Sequence, residues 1–561
     1  MRADPVKDYA LKVLDGKIIA GPSVRAACAR HLKDIDTAAA RGLWFDLPAA
    51  HHVFEFFEEC LRLRDGQFDG QPFRLAPSQK FVLGNLFGWK NDDGTRRFRQ
   101  SYDEEAKGAG KTPLAAGVGL YLFCADGEPS AEVYCAGPTK DQAFIAFNDA
   151  LGFVDRNEEL STAIRPKGEN PVEALTYAET HSKLLPISAD AKKKSGYRPS
   201  GVIVDEVHEL GRNEDLIHML RAGFKFRRNP LLFMITNSGF DRQTACWKYH
   251  EHARKVAAGA EIDDTFFAYL CEMDKGDDPL KDEKCWPKAN PLLGITTTKT
   301  YLKNEIRQAR AGGKINLCLR LNFCVWTSSE SAWLPPSTWE AVQRDYTPEE
   351  LDAMKGHDAY GALDLSRTRD LTALTLMFKA PESEMIDALP WFWKPAETLE
   401  EHSEKDGAPY TDWADPAWEG QTGAEPFLNA TPGPEVDYAF VAEKINDLSK
   451  VYNIKAIAFD AYEINRMRKE LDEIGCAVKL VEHAQGARMT RQTGLWMPGS
   501  INLLESSIYT KTIRIQRNLL MTLCAMSATC LPIDPQGNRI FSKQKATRRI
   551  DGAVTLAMCR G

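Results

Sequence analysis

No run of apolar residues in this 561-residue chain approaches membrane-spanning length, and Met1 to Gly21 has no apolar core of a secretion signal. Both absences predict a protein that avoids membranes and stays in the compartment where it is made. Its thirteen cysteines include no Cys-x-x-Cys pair. That argues against a disulfide framework and a zinc knuckle, and for reduced thiols in a cytosolic setting. Positive charge is not in excess. A formal net charge of −8 gives no global attraction for nucleic acid, although a local basic channel stays compatible with it. The zinc-protease pattern His-Glu-x-x-His also fails, because His208-Glu209 leads to Arg212 where the second histidine should stand.

What remains is ordinary globular material, 43% hydrophobic and 27% charged, long enough for roughly two to four domains. The chain is organised around Glu104-Glu105-Ala106-Lys107-Gly108-Ala109-Gly110-Lys111-Thr112. A strand-like run, Arg96 to Tyr102, precedes it, and a helix-like run, Pro113 to Phe123, follows. Such a strand, glycine loop and Gly-Lys-Thr helix start forms a phosphate cradle. Loop N–H groups face an anion, the lysine neutralises β/γ-phosphate charge and the threonine hydroxyl ligates Mg²⁺. The motif asks for glycine at position 105, where this chain has glutamate.

The partners of such a cradle follow in order. Val202 to Asp205 reads as a buried parallel strand that delivers Asp205 to the Mg²⁺ water shell, with Glu206 next to it to polarise an attacking water. A strand running into a helix cap would explain either carboxylate alone. Leu231 to Ile235 is another buried strand, and Thr236, Asn237 and Ser238 at its end would lie beside Asp205 and sense the γ-phosphate. Upstream, Gln79 in Ala76-Pro77-Ser78-Gln79 has an amide able to read adenine, or is merely a polar residue at a helix start. Arg212, Arg221, Arg227 and Arg228, and Lys107 inside the loop, are candidates for a charge-stabilising finger.

Residues 1–65 read as helical, with Arg25, Arg30, His31, Lys33, His51 and His52 on a solvated face. Residues 66–327 form the nucleotide-binding domain. Residues 328–350, with Trp333, Pro335, Pro336 and Trp339, read as a semi-rigid linker. From 351 to 561 the rhythm becomes three strands in a meander and then alternating helix and strand, the α/β order of ribonuclease H. Asp364 and Asp460 end apolar strands, and Asp551 opens a last helix whose inner face carries Ile550, Val554, Ala557 and Met558. If these three aspartates meet, they can hold two divalent ions at a phosphodiester. Lys543, Lys545, Arg548 and Arg549 would form a basic strip tracking phosphates. The acidic stretch 397–423 reads as a flap able to restrain cutting.

Taken together these motifs resemble the large subunit of tailed-bacteriophage terminases over nearly the whole chain. The matching pieces are Gln79, a deviant Walker A at Lys107, Gly108, Gly110, Lys111 and Thr112, a Walker B at Val202 to Glu206, and the coupling residues Thr236, Asn237 and Ser238. Asp364-Leu365-Ser366, Phe459-Asp460 and Ile550-Asp551-Gly552 match the nuclease motifs, and Asn322, Trp326 and Trp333 the interdomain segment. The resemblance implies a phosphate-loop packaging ATPase with a parallel-rich sheet, followed by a ribonuclease H-like nuclease. It implies ATP and Mg²⁺, with Mn²⁺ as an alternative at the nuclease site. The implied partners are double-stranded DNA, a small terminase subunit and a portal carrying a pentameric ring of this chain, in the host cytoplasm. An ATP-driven helicase or recombination nuclease, and a nucleotide-gated assembly protein with structural aspartates, are the rival readings.

Overall fold

The computed structural model describes residues 3–64, 66–188, 196–211, 214–242, 244–311, 314–327, 333–368, 370–379, 384–419, 425–461, 463–486, 488–490, 493–534, 537–543 and 548–561. The chain divides into two compact units, Met1–Thr327 and Ser328–Gly561.

The first unit is built on an eight-stranded sheet. Its strands are β1 Gln100–Glu104, β2 Glu132–Gly137, β3 Ile164–Lys167, β4 Ala174–Tyr177, β5 Ser182–Ser188, β6 Gly201–Val204, β7 Leu231–Thr236 and β8 Phe266–Leu270. They lie in the order 8-1-7-6-2-5-4-3, parallel from β8 to β5, with β4 and β3 added antiparallel at one edge. Strands β6 and β7 are buried along their whole length, as their unbroken Val/Ile/Leu/Phe runs require when both faces are covered.

Helix α1, Lys111–Cys124, explains much of the packing. Leu114, Val118, Leu120 and Leu122 are buried, and so are Ala115, Ala116, Gly117 and Gly119 between them. Small residues let the helix be pressed from two sides. A Cβ on Gly119 would stand 3.2 Å from Ile203 of the sheet, and one on Gly117 would stand 2.4 Å from the Phe57 ring. Phe57 belongs to the helical N-terminal region, whose helices Pro5–Leu14, Pro22–Thr37 and Leu47–Glu55 share one hydrophobic core with α1 and β6. The basic residues there are only partly a solvated face: Lys33 and His52 are exposed, but others are not. His31 is buried, its Nδ1 2.9 Å from Asn85 Oδ1, and Arg25 grips Asp274 at 2.6 Å.

The second unit carries β9 Asp358–Asp364, β10 Thr372–Lys379, β11 Ile386–Pro395, β12 Asn453–Phe459, β13 Leu480–Glu482 and β14 Ile513–Gln516. Strands β9, β10 and β11 form the expected antiparallel meander, and β12 and β13 extend it in parallel beyond β9. Numbered within the unit, the first five strands run 3-2-1-4-5, the ribonuclease H order, with β14 parallel to β11 beyond them. Helices Tyr438–Val451 and Ile464–Glu473 cover one face. The other face takes Met497–Tyr509, Leu519–Ser527 and the last helix, Asp551–Arg560.

Two expectations for this unit need correction. Asp551 through Met558 are all buried, so the last helix is enclosed and has no single inner face. Trp333 and Trp339 lie in the core of this unit. The acidic stretch is no loose flap across its described part. It folds as helices Leu399–Asp406 and Tyr410–Ala414, and Leu399, Tyr410 and Trp413 enter the core. The aromatics anchor the stretch because each buries a large apolar area, while Glu400, Glu401, Glu404 and Asp412 stay exposed to water.

Candidate active sites

In the first unit the phosphate loop leaves the C-terminal end of β1. Gly108 and Gly110 sit at φ +85° and +72°, left-handed backbone that glycine enters without strain. Position 105 tolerates glutamate because its side chain folds into the protein. Glu105 is buried, and burial lifts its carboxyl to about 7 against the pull of Lys111. The Lys111 ammonium donates to the carbonyls of Glu105 and Ala106, both at 2.9 Å, and to Asn237 Oδ1 at 2.8 Å. Thr112 donates its hydroxyl proton to Asp205 Oδ2 at 2.8 Å.

Strand order makes these contacts. β7 lies between β1 and β6, so its end touches both the loop and the Asp205–Glu206 corner. The Thr236 carbonyl accepts from Glu105 N–H at 3.2 Å, while its hydroxyl accepts the His208 N–H at 3.1 Å. Ser238 is turned the other way and donates to the Arg320 carbonyl at 3.0 Å. Burial raises the Asp205 carboxyl to about 6, with Glu206 adding to the rise. Burial also pushes Glu206 upward, but its hydrogen bond and attraction to His208 outweigh that and hold it below the usual range. The backbone of Glu206 is left-handed at φ +52°, a strained conformation for a side-chain-bearing residue that clusters at functional sites.

Gln79 spends its Oε1 on the Ala76 N–H at 3.0 Å, capping its own helix. It also borders a cavity of about 770 Å³ lined by Arg74, Phe153, Leu292, Gly110 and Pro113. Lys107 is exposed. Three of the four arginine candidates for the finger lie at the wrong end of the sheet for this chain's own site. Arg221 bonds Gln100, the first residue of β1, while Arg227 and Arg228 precede β7 and bond the Arg198 and Asp93 carbonyls. Arg212 and Lys545 lie outside the described residues.

In the second unit β9 and β12 are parallel, with Leu363 opposite Phe459, so Asp364 and Asp460 leave the same edge of the sheet. Asp364 and Asp551 are both buried and are bridged by Lys543, whose Nζ lies 3.3 Å from Asp364 Oδ2 and 2.7 Å from Asp551 Oδ1. Burial raises the Asp364 carboxyl to about 7, with Lys543 pulling it down and Asp551 pushing it up. Asp460 does not join this bridge, and among the described residues no three His, Cys, Asp or Glu side chains are gathered around one ion position. The basic strip is also revised. Lys543 points into the acids, and Arg549 is held by Asp370 and by Asp406 at 2.8 Å. Cations beside buried carboxylates become their counterions before they can serve a solvated phosphate.

Sequence reasoning missed His208 as partner of Glu206, Gln485 as donor to Asp364 at 2.9 Å, and Lys543 as the bridge. Only His208, two residues from Glu206, left a local trace.

A phosphate-loop site in one unit and a carboxylate site on a ribonuclease H-type sheet in the other define an ATP-hydrolysing enzyme joined to a nuclease. Family profiles agree. "Terminase large subunit, ATPase domain" matches residues 77–255, and "Terminase large subunit, endonuclease domain" matches 260–561. A "Terminase, large subunit" of Enterobacteria phage HK97 is 30% identical over 517 residues, covering 91% of this chain and 94% of that protein. The protein YmfN of Escherichia coli K12 is 23% identical over 380 residues, covering 66% of this chain and 78% of that protein. A crystal structure of the HK97 bacteriophage large terminase covers 91% of this chain and 99% of its own at 28% identity, with a TM-score of 0.44. The chain belongs to the terminase large subunits. It is an ATP hydrolase and DNA endonuclease of viral genome packaging, which drives double-stranded DNA into a procapsid and cuts concatemers. Membership favours packaging over the helicase and assembly-protein readings.

Proposed function

We propose the following division of labour. Gly108, Gly110 and Lys111 cradle the ATP phosphates, Gln79 faces the base, and Thr112 and Asp205 hold Mg²⁺. Glu206 orients and deprotonates the attacking water, and Thr236, Asn237 and Ser238 pass the state of the γ-phosphate into the strand end. Lys107 remains the in-loop candidate for charge stabilisation. The observation that carries this reading is the 2.8 Å bond from the Thr112 hydroxyl to Asp205, because a hydroxyl and a carboxylate side by side are the hard oxygen donors Mg²⁺ selects. In the second unit Asp364, Asp460 and Asp551 take divalent ions, Mg²⁺ or Mn²⁺. The donor set suits them: two buried carboxylates already share one positive group. Held by these carboxylates, such ions would supply Lewis acidity for activating water and for stabilising charge on the leaving oxygen.

By this reading residues 66–327 are the ATPase, supported by the N-terminal helical segment 1–65, and 351–561 the nuclease beyond a 328–350 connection. The chain acts in the host cytoplasm as a five-membered ring on the portal, with a small terminase subunit delivering DNA. Family membership supports these partners. Among the described residues no helix is long and apolar enough to cross a membrane. Two full-length variants test the assignment. Lys111→Ala is expected to abolish ATP-dependent phosphate release and keep Mn²⁺-dependent plasmid cleavage, and Asp364→Ala to do the reverse. Loss of both activities in either folded variant would overturn the division. Native mass measurement with purified portal tests the ring.

A further inference from the structure

The Lys543 ammonium stands where two carboxylates converge. Each acid has one oxygen held by the scaffold and the other on the lysine. Asp364 Oδ1 accepts from Gln485 Nε2 at 2.9 Å, and Asp551 Oδ2 accepts from the Leu371 N–H at 3.2 Å. Their remaining oxygens lie 3.3 and 2.7 Å from Lys543 Nζ, with Asp370 a further 3.9 Å contact. Both acid side chains are nearly sealed, 8% and 3% exposed, whereas Lys543 is 45% exposed. Two carboxylates that are both ionised cannot share a buried spot without a cation; lacking one, the pair keeps a proton. The ammonium in contact with both acids comes from this solvent-accessible stem, while the buried Lys394 also acts electrostatically on Asp551.

We propose that Lys543 is a built-in counter-cation. It holds Asp364 and Asp551 in their working orientation while the nuclease is free of metal, and it must swing out before those carboxylates can take a divalent ion. The residue thereby sets the metal level at which cutting begins, a restraint suited to an enzyme whose motor handles the same DNA. This rests on the reading that Asp364 and Asp551 bind metal.

The test is a Mn²⁺ titration of the full-length, nucleotide-free chain, followed by electron paramagnetic resonance, with thermal melts alongside. Lys543→Met is expected to bind Mn²⁺ at about tenfold lower concentration than the parent, the scale of one lost competing interaction. It should melt lower without metal and recover when Mn²⁺ is added. Lys543→Arg, which keeps the charge, should retain the parental threshold and covers the case in which the methionine variant fails to fold. Binding by Lys543→Met at the parental concentration or weaker, or a lowered threshold in Lys543→Arg equal to that of Lys543→Met, would overturn the counter-cation role. Asp364→Asn/Asp551→Asn tests the underlying reading separately. Unchanged Mn²⁺ binding there would remove the metal site itself, whatever Lys543 does.

Discussion

At the scale of single residues, the ATPase site depends on short bonds between side chains far apart in sequence. Asn237 reaches Lys111 across 126 positions, and His208 shares Glu206 and Thr236. Glu206→Gln keeps the shape and the charge-independent contacts but removes the base. It is expected to lower ATP turnover by about 10²–10⁴-fold while leaving nucleotide affinity nearly unchanged. His208→Ala should slow turnover less, because the base stays and only its orientation and charge partner are lost. Steady-state phosphate release and fluorescent-nucleotide binding, run on both variants, check the ranking. An equal loss in the two would mean that His208 takes part in the chemistry directly.

At the scale of elements, α1 is where the loop meets the core. A methyl added at Gly117 would stand 2.4 Å from Phe57, 2.5 Å from its neighbouring ring carbon and 3.0 Å from Leu61. Gly117→Ala is therefore expected to destabilise the first unit by about 1–3 kcal/mol, read as a lower denaturant midpoint, through overpacking. In the second unit His483 follows β13, fully buried, with Nε2 2.7 Å from Ser500 Oγ. Burial lowers its pKa to about 4 from the ordinary 6.5. Between those values an unfolded chain binds the proton and the folded one does not, so stability is full above about pH 6.5 and is lost as pH falls towards 4. The loss approaches about 3 kcal/mol at its limit. Melts of the parent and His483→Gln between pH 7.5 and 4.5 should show the variant with the shallower acid-side slope.

At the scale of the whole molecule, the helices at 399–414 contribute Tyr410 and Trp413 to the core, and their Asp406 holds Arg549, two residues before Asp551. Deleting 399–414 is expected to unfold the second unit, seen as loss of its cooperative melt, and to abolish cutting. Increased nonspecific cutting by a folded deletion protein would restore the flap reading. What was legible in the sequence was local. The glycine loop between strand and helix, the apolar runs of β6 and β7 ending in Asp205 and Thr236, and the meander carrying Asp364 all follow from periodicity and turn chemistry within a few residues. The tertiary structure alone decided which charges meet. It buried His31, sent Arg221, Arg227 and Arg228 to the far end of the sheet, and put Lys543 between two aspartates. Backbone preference is written in neighbours along the chain, whereas a lysine looks the same whether it ends in water or against a carboxylate brought in from 179 positions away.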